Sequence, residues 1–200
     1  MRIFLAIDLP QNIKDLIWRD FAYSKDVLDS FRFVEKESFH ITLIFLGEVS
    51  DENNLSEIKK SIESVSKNNT AFDLKITGYE IKLSQNSPSM IWLVLDKDSS
   101  IKINNLSNHL KKELTSRKIG FDGTYDNFGH VTLAKFRQSW KDDCVIKNHN
   151  DKTKIVSDIT KELPDAVFYN FRADQITLFE SLSGPNGREY NSLFVSLLNE

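Results

Sequence analysis

The stretch Phe39-His40-Ile41-Thr42-Leu43-Ile44-Phe45-Leu46-Gly47 has the apolar, β-branched composition of a buried strand. Its core, His-x-Thr-Leu, recurs as His130-Val131-Thr132-Leu133. Residues i and i+2 of an extended strand project from the same face, so each copy presents an imidazole beside a hydroxyl group. The residues between them point the other way, into a core. If the two strands face each other across a cleft, two histidines and two threonines surround one small anionic group.

Repetition is what favours a functional interpretation of these histidines. A single histidine followed by threonine two positions later is more often an ordinary strand residue than a catalytic group. Here two of the four histidines in the chain, His40 and His130, carry the same pattern. His109 lies in a predicted helix, and we interpret it as an ordinary surface histidine. His149 belongs to the polar segment 139–154, which we interpret as a solvated linker or a mobile flap.

Composition restricts the class of protein. The 200 residues are 40% hydrophobic and 11% aromatic, so the chain can bury a sizeable core and is not of the disordered class. A net charge of −3 lacks the positive field of proteins that follow a long nucleic acid, so a nucleic-acid partner is expected to be an end, a short segment or a nucleotide. The single cysteine, Cys144, fits a reducing compartment. We expect a cytoplasmic monomer that does not associate with membranes.

Hydrophobic periodicity predicts strands that alternate with amphipathic helices. Helices are expected over about 11–30, from Ser50 or Asp51 to Asn68, from Ser99 or Ser100 to about Lys118, and up to Pro164. Strands are expected at 2–9, 32–34, 39–47, 72–83 with a bulge at Gly78, 90–95, 130–136, 166–180 and 189–198. This order predicts an α+β fold in one domain, residues 1–200, with two similar lobes. Each lobe is expected to be an antiparallel sheet with helices on its outer face, and a central groove is the expected ligand site.

At the level of whole motifs, the chain resembles the 2H phosphoesterase superfamily. Within that superfamily it is similar to the branch of 2'-5' RNA ligase-like proteins, or RNA 2',3'-cyclic phosphodiesterases. The resemblance covers nearly the whole chain and is carried by the opening run 2–10, the first motif 39–43 with the trailing 45–48, the second motif 128–134, and the closing segment 178–190.

The chain departs from the family pattern at two positions. Gly129 stands before the second histidine, where the family often has proline, and we expect this to loosen the start of the strand. Lys135 stands where the family usually has arginine, so the ammonium group of lysine, a point charge, replaces the planar guanidinium group of arginine.

The resemblance implies hydrolysis of 2',3'-cyclic phosphate ends of RNA to a 2'-phosphate, without a metal or another cofactor. Because histidine titrates near neutrality, one imidazole can act as base while another acts as acid. We expect His130 to be the base and His40 the acid. Thr42 and Thr132 are expected to donate hydrogen bonds to the non-bridging phosphate oxygens.

Other functions remain open at this point. The same four side chains would serve a phosphodiesterase of 2',5'-oligoadenylates or small cyclic nucleotides, and the reverse reaction would be 2'-5' RNA ligation. A protein that binds RNA ends without turnover would have no need of two titrating histidines. A metal site on the histidine pair is the weakest interpretation, because no third ligand stands at a recognisable spacing. A Gly-x-x-x-x-Gly-Lys phosphate loop is absent from the sequence, so bound ATP is not expected.

Three cations near the motifs are further candidates for substrate binding: Lys135, Arg137 and Arg32. Strand alternation places Lys135 and Arg137 on the face opposite His130, which argues against direct contact with the phosphate. Phe4 is a candidate for stacking on a base, although a phenylalanine in an apolar strand is more often a core residue.

Overall fold

The computed structural model describes residues 1–84, 87–122, 129–137, 152–184 and 187–200. Its helices are α1 (Gln11–Asp20), α2 (Ala22–Val27), α3 (Glu52–Lys67), α4 (Lys97–Ser116) and α5 (Lys152–Lys161), with a 3-10 turn at Lys36–Ser38. Its strands are β1 (Arg2–Asp8), β2 (Phe31–Phe33), β3 (His40–Glu48), β4 (Phe72–Ser84), β5 (Ser87–Leu95), β6 (His130–Phe136), β7 (Tyr169–Ala173), β8 (Gln175–Gly184) and β9 (Gly187–Leu197).

These strands form one continuous sheet in which every strand pair is antiparallel. The order is β7-β4-β5-β6-β3-β1-β8-β9, with β2 beside β6. Strands β6 and β3, which carry the two His-x-Thr motifs, lie in the middle, and each is followed outward by three strands. The predicted α+β class with an antiparallel sheet is confirmed. The strand order is compatible with two similar lobes, but the lobes and the single domain stay predictions.

The sheet curls because of how β7 is joined to β8. A single residue, Asp174, separates these two strands, although β7 forms one edge of the sheet and β8 lies next to the other edge. The two ends of the sheet therefore have to approach each other. They do so where Thr70 bridges Asn199 and where the Leu198 N–H donates to the Asp174 carbonyl at 2.8 Å.

Helices α3 and α4 pack against each other and against the sheet, α4 on β3 and β4 and α3 on β8 and β9. Their inward residues, including Ile58 and Leu110, are fully buried against the sheet. The hydroxyl of Ser107 on α4 donates to the Leu43 carbonyl of β3 at 2.8 Å, which ties this helix to the first motif strand. Each helix begins at an aspartate N-cap, Asp51 for α3 and Asp96 for α4. Helix α4 therefore covers one face of β3, and the motif side chains line a cavity on the other face.

Most of the predicted elements are confirmed, and two are wrong in detail. The helix expected over 11–30 breaks at Phe21 into α1 and α2, and the strand expected over 166–180 is divided by Asp174 into β7 and β8. The predicted bulge at Gly78 is confirmed, because the register of β4 against β5 shifts between Ile76 and Gly78.

The proposed linker 139–154, with Cys144 and His149, lies outside the described residues except where α5 begins at Lys152. His109 is confirmed as an exposed residue of α4, where its Nδ1 lies 2.8 Å from the Asn69 side-chain oxygen. None of the helices in the described part of the chain combines the length and the apolar composition needed to cross a membrane.

Candidate active site

The two motif strands are neighbours in the sheet and not opposite walls of separate sheets. Strands β3 and β6 pair through Ile41 and Val131. In an antiparallel pair, the residue before one member of a pair lies next to the residue after the other member. His40 is therefore the neighbour of Thr132, and Thr42 is the neighbour of His130. The two histidines lie diagonally, each beside the threonine of the other motif.

Both motif strands contain a bulge at the same place, directly after the threonine. Along β3 the register against β1 skips Leu43, and along β6 the register against β5 skips Leu133. A bulge adds one residue and reverses the alternation of the side chains that follow it. The residues at position five after each histidine, Phe45 and Lys135, therefore return to the face of the histidines. Both line the same cavity as the motifs.

The placement of Lys135 corrects the expectation from strand alternation. Simple alternation predicted that Lys135 faces away from His130, and that prediction is wrong because of the bulge at Leu133. Its ammonium group is half-buried at the wall of the cavity. Burial lowers the pKa of Lys135, and the positive charges of Arg32, Arg188 and Arg2 lower it further.

One cavity of about 400 Å³ holds all four motif side chains. We call it the catalytic cavity. It is large enough for a nucleotide and is walled by apolar and aromatic groups with a few polar ones, as ligand sites usually are. Beyond the motifs, its lining residues are Arg2, Ile3, Phe4, Val34, Ser38, Phe45, Met90, Trp92, Lys135, Ser181, Arg188 and Tyr190.

The ring of His40 is held by hydrogen bonds and by aromatic neighbours. Nδ1 lies 2.7 Å from the Ser38 carbonyl oxygen, which can only accept, so Nδ1 carries a proton and donates. Nε2 lies 3.2 Å from the Thr42 hydroxyl. The ring centroids of Phe4 and Tyr190 lie 4.9 and 5.0 Å from that of His40. The neutral ring therefore directs its basic nitrogen, Nε2, at Thr42. Phe4 itself is 3% exposed and is a core residue at the base of the cavity.

The ring of His130 is held by stacking. It lies parallel to the Trp92 ring, with a centroid distance of 3.6 Å and an interplanar angle of 14°. The Lys82 ammonium lies 4.5 Å from the centroid of the same indole. Trp92 was predicted to lie in a buried strand, without a role at the site. The register of β5 against β6 pairs Trp92 with Thr132 and explains the stack, and a single sequence does not disclose that register.

Burial sets the protonation of both histidines. Removal from water lowers the pKa of His40 to about 4, with smaller contributions from the charges of Lys14 and Lys135, while the Ser38 carbonyl acts in the opposite direction. Burial also lowers the pKa of His130 to about 4, helped by His40 and Lys82. Without a ligand, both rings are therefore neutral at pH 7, and a bound anion would favour their protonation.

A partly buried ion pair between Lys14 and Asp8 supports the position of His40. Lys14 is 5% exposed, and its ammonium lies 2.7 Å from an Asp8 carboxylate oxygen and donates to the Glu37 carbonyl at 2.9 Å. Asp8 is the strand partner of His40, and Glu37 belongs to the 3-10 turn that presents the Ser38 carbonyl. The pair therefore fixes the turn that orients the imidazole. The sequence alone does not disclose this pair, since an Asp and a Lys in separate elements give no local signal.

The remaining cations predicted for substrate binding lie beside the catalytic cavity. Arg32 pairs with Lys135 across β2 and β6 but does not line the catalytic cavity. Arg137 lies farther along, and its Nε donates to the Phe31 carbonyl at 3.3 Å. Arg2 and Arg188 do line the cavity and were missed. In the described ranges, no group of three His, Cys, Asp or Glu side chains is placed to hold a metal ion.

The chain is similar to proteins of one phosphoesterase family. The sequence model of the family described as LigT like Phosphoesterase matches residues 7–92. An RNA 2',3'-cyclic phosphodiesterase of Methanocaldococcus jannaschii is 30% identical over 197 residues, which cover 95% of this chain and 96% of that protein. One of Archaeoglobus fulgidus is 25% identical over 195 residues, which cover 98% of this chain and 99% of that protein.

A solved structure has the same fold. E. coli LigT complexed with 3'-AMP superimposes with a TM-score of 0.73 at 21% identity, covering 100% of this chain and 98% of that one. The identity and coverage of the archaeal relative, together with the shared fold and the paired motifs, assign the family. This chain belongs to the LigT-like phosphoesterases of the 2H superfamily.

Proposed function

We propose that the protein is an RNA 2',3'-cyclic phosphodiesterase that opens cyclic phosphate ends to a 2'-phosphate by acid–base catalysis with its two motif histidines. The observation that carries the proposal is that both His-x-Thr pairs line one cavity of nucleotide size. Relatives that are similar along nearly their whole length bear the name of this activity, and the family is one of phosphodiester hydrolases.

The chemistry needs one proton removed and one proton added. A water oxygen bonds to phosphorus while the bond from phosphorus to the 3' oxygen breaks. One histidine takes the proton of the water, and the other gives a proton to the departing 3' oxygen. The product has a 2'-phosphate and a free 3'-hydroxyl, and proton exchange with solvent restores the starting state. Each proton transfer contributes about 10²–10⁴-fold to the rate.

The surroundings of the two rings favour His40 as the acid and His130 as the base. The Ser38 carbonyl accepts a hydrogen bond from Nδ1 of His40, which stabilises the protonated ring. His130 has the Lys82 charge on the far side of its stacked indole, which favours the neutral ring. On the ground of the Ser38 hydrogen bond, we assign the first proton taken up with an anionic substrate to His40, against the opposing charges of Lys14 and Lys135.

The threonines bind the charge that develops on phosphate. Thr42 and Thr132 lie on the face of the histidines, each beside the histidine of the other motif. Hydroxyl donors held on a rigid sheet stabilise the transition state without reorganising. In the free protein Thr42 shares a hydrogen bond with His40, so its hydroxyl turns from the imidazole to a phosphate oxygen when substrate binds.

Nucleotide ligands suit the cavity on independent grounds. The structures similar to this chain include E. coli LigT complexed with 3'-AMP and with NADP+. The two histidines lie in a walled cavity, which supports catalysis over a protein that only binds RNA ends. Ligation of 2'-5' linkages would be the same step in reverse. Cytoplasmic location and a monomeric state stay predictions.

The experiment that tests the function compares substrates in the presence of EDTA. The purified protein is incubated with an oligonucleotide that ends in a 2',3'-cyclic phosphate, with a 2',5'-linked trimer and with 3',5'-cyclic mononucleotides. We expect turnover of the cyclic-phosphate end to a 2'-phosphate. Turnover confined to the 2',5'-linked trimer or the cyclic mononucleotides would replace the proposal with that alternative, and binding without turnover would leave an RNA-end-binding protein.

A further inference from the structure

A row of positive charges extends from the catalytic cavity to the edge of the sheet. Arg32 and Lys135 lie directly opposite each other on β2 and β6, and Arg188 and Arg2 are close enough to lower the pKa of Lys135. Like charges opposite each other across a strand pair destabilise a sheet. No ion pair joins any of these four cations to a carboxylate of a described residue. This arrangement therefore favours a bound polyanion.

A second cavity opens at the far end of this row. A narrow gap of about 20 Å³ shares Lys135, Arg188 and Tyr190 with the catalytic cavity. It also shares Arg32, Phe33 and Glu35 with an outer cavity of about 410 Å³. The name outer cavity refers to this cavity of about 410 Å³, which lies on the far side of the gap. This gap, with Arg32, Lys135 and Arg188 on its walls, therefore lies between the two large cavities, and we call it the passage.

The outer cavity has the composition of a site for a single-stranded nucleotide. Arg137 and Lys25 supply positive charge, and Trp18 and Phe33 supply half-exposed aromatic surface, with Glu35 as the one carboxylate in its lining. Proteins that bind single-stranded nucleic acid combine a basic groove with aromatic groups against which bases pack. The net charge of the whole chain is −3, so this concentration of cations is a local feature.

A glycine gives the Arg32 guanidinium its place in the passage. A Cβ atom at Gly187 would lie 3.2 Å from Cζ and 3.4 Å from both terminal nitrogens of Arg32. Gly187 also has φ of +132°, a conformation that residues with side chains rarely adopt. The turn between β8 and β9 therefore lets the guanidinium pass close to its backbone, between the two large cavities.

We propose that this passage and the outer cavity bind the RNA segment immediately upstream of the terminal nucleotide, so that an oligonucleotide end is a better substrate than a mononucleotide. The inference rests on the proposed function of the catalytic cavity. Arg32, Lys135 and Arg188 bind the phosphodiester that links the last two nucleotides. The preceding nucleotide occupies the outer cavity, with its base against the aromatic wall.

The test compares two substrates with the same terminal nucleotide, a 2',3'-cyclic mononucleotide and a trinucleotide with a 2',3'-cyclic end. We expect wild-type kcat/KM to be about tenfold or more higher for the trinucleotide, since a hydrogen bond to a charged group contributes about that factor. Arg32→Ala should remove most of this preference. It should also flatten the dependence of log KM on log salt for the trinucleotide by about 0.7, the value for one contact to a single strand.

Two further variants separate binding from folding. Arg32→Lys keeps the charge and should restore the salt dependence. Arg172→Ala removes an exposed arginine from the edge strand β7. This variant should leave kcat/KM unchanged for both substrates. Equal kcat/KM for the two substrates in the wild type, or an equal loss on both in Arg32→Ala, would overturn the inference.

Failure of the proposed function gives a different pattern, in which neither substrate is turned over. Binding then decides the inference, with a trinucleotide that ends in a 2'-phosphate and the matching 2'-mononucleotide as probes. Tighter binding of the trinucleotide that is lost in Arg32→Ala supports the upstream site. Equal affinity for both probes rejects it.

Discussion

At the scale of single residues, the two histidine rings are held in place by different neighbours, but both have a lowered pKa. Burial disfavours the charged imidazole and lowers the pKa of each histidine to about 4. A cyclic phosphate carries a negative charge, and an opposite charge nearby favours the protonated ring. Substrate binding therefore raises the pKa values of both histidines toward pH 7, where one ring can act as an acid and the other as a base.

The difference in histidine pKa between the free and the substrate-bound enzyme predicts the pH dependence of the reaction. The profile of kcat/KM reports the free enzyme, and the profile of kcat reports the enzyme with bound substrate. Both limbs of the kcat profile should lie at higher pH than those of kcat/KM. Steady-state rates from pH 4 to 9 measure both profiles. A kcat profile displaced to lower pH would contradict the account of how phosphate acts on the histidines.

The same lowered pKa values predict how stability depends on pH. In the unfolded chain histidine titrates near 6.5, so between about pH 4 and 6.5 the unfolded state binds more protons than the folded state. The free energy of unfolding should therefore rise with pH through this window and fall as pH drops toward 4. Urea unfolding at pH 4.5, 5.5 and 7 measures it. The double variant His40→Asn and His130→Asn should lose less stability on acidification; a loss parallel to that of the wild type would refute the prediction.

The threonines make a prediction that separates chemistry from packing. Thr42→Val and Thr132→Val keep the shape but remove the donor, and each should lower kcat by about 10²–10³-fold, the usual effect of losing one transition-state donor. Thr177→Val is a matched control, because the Thr177 hydroxyl is buried without a hydrogen bond to any described residue and lies outside the cavity lining. Single-turnover rates decide the matter. If Thr42→Val and Thr132→Val reacted as fast as Thr177→Val, the hydroxyls of Thr42 and Thr132 would have no part in the mechanism.

At the scale of elements, sequence pattern predicted the strands and helices well but not the bulges in the motif strands. His-x-Thr-Leu is recognisable because its period of two matches a strand. The extra residue, Leu43 or Leu133, is apolar like its neighbours and gives no local signal of a bulge. The sequence therefore predicted the four motif side chains on one face and placed Lys135 on the wrong face.

That Gly129 loosens the start of β6 stays a prediction, but its backbone conformation explains why glycine stands there. Its φ is +49°, and a Cβ atom would lie 2.6 Å from the Leu95 Cδ1 atom. Gly129→Ala should lower the free energy of unfolding by about 1–2 kcal/mol, the cost of the left-handed conformation. Gly129→Pro should lower it further, because proline fixes φ near −65°.

Gly120→Ala provides the matched control for the Gly129 substitutions. A Cβ atom at Gly120 would meet nothing within 4 Å, and this residue has no positive φ. Urea unfolding should leave this variant at least as stable as the wild type. If Gly129→Ala matched Gly120→Ala, the backbone at the start of β6 would not require glycine.

At the scale of the whole molecule, the order of the strands brings the two motifs together. The motifs lie far apart in sequence, yet β3 and β6 are adjacent at the middle of the sheet. Sequence analysis predicted that the motifs meet, because the same pattern occurs twice, but it expected two strands across a cleft. The actual order depends on long-range pairings, including the turn at Asp174 that sends β7 and β8 to opposite halves. Propensity within a window of the sequence carries no information on such pairings.

The outer cavity also belongs to this scale. Arg32, Trp18 and Arg137 come from separate parts of the chain and line one cavity in the fold, where the pairing of β2 with β6 places Arg32 opposite Lys135. Sequence analysis identified two of these residues as isolated cations near the motifs. Their connection to the catalytic cavity through Lys135 and Arg188 required the folded chain.

The central claim is that two histidines from separate strands act on one phosphorus atom. The most direct measurement is the single-turnover rate of hydrolysis of a 2',3'-cyclic phosphate end, in EDTA, by His40→Ala and His130→Ala, with the surface variant His109→Ala as control. We expect each motif variant to lose about 10²–10⁴-fold while keeping its native circular dichroism, and the control to keep its rate. A near-normal rate in either folded motif variant would contradict the two-histidine mechanism.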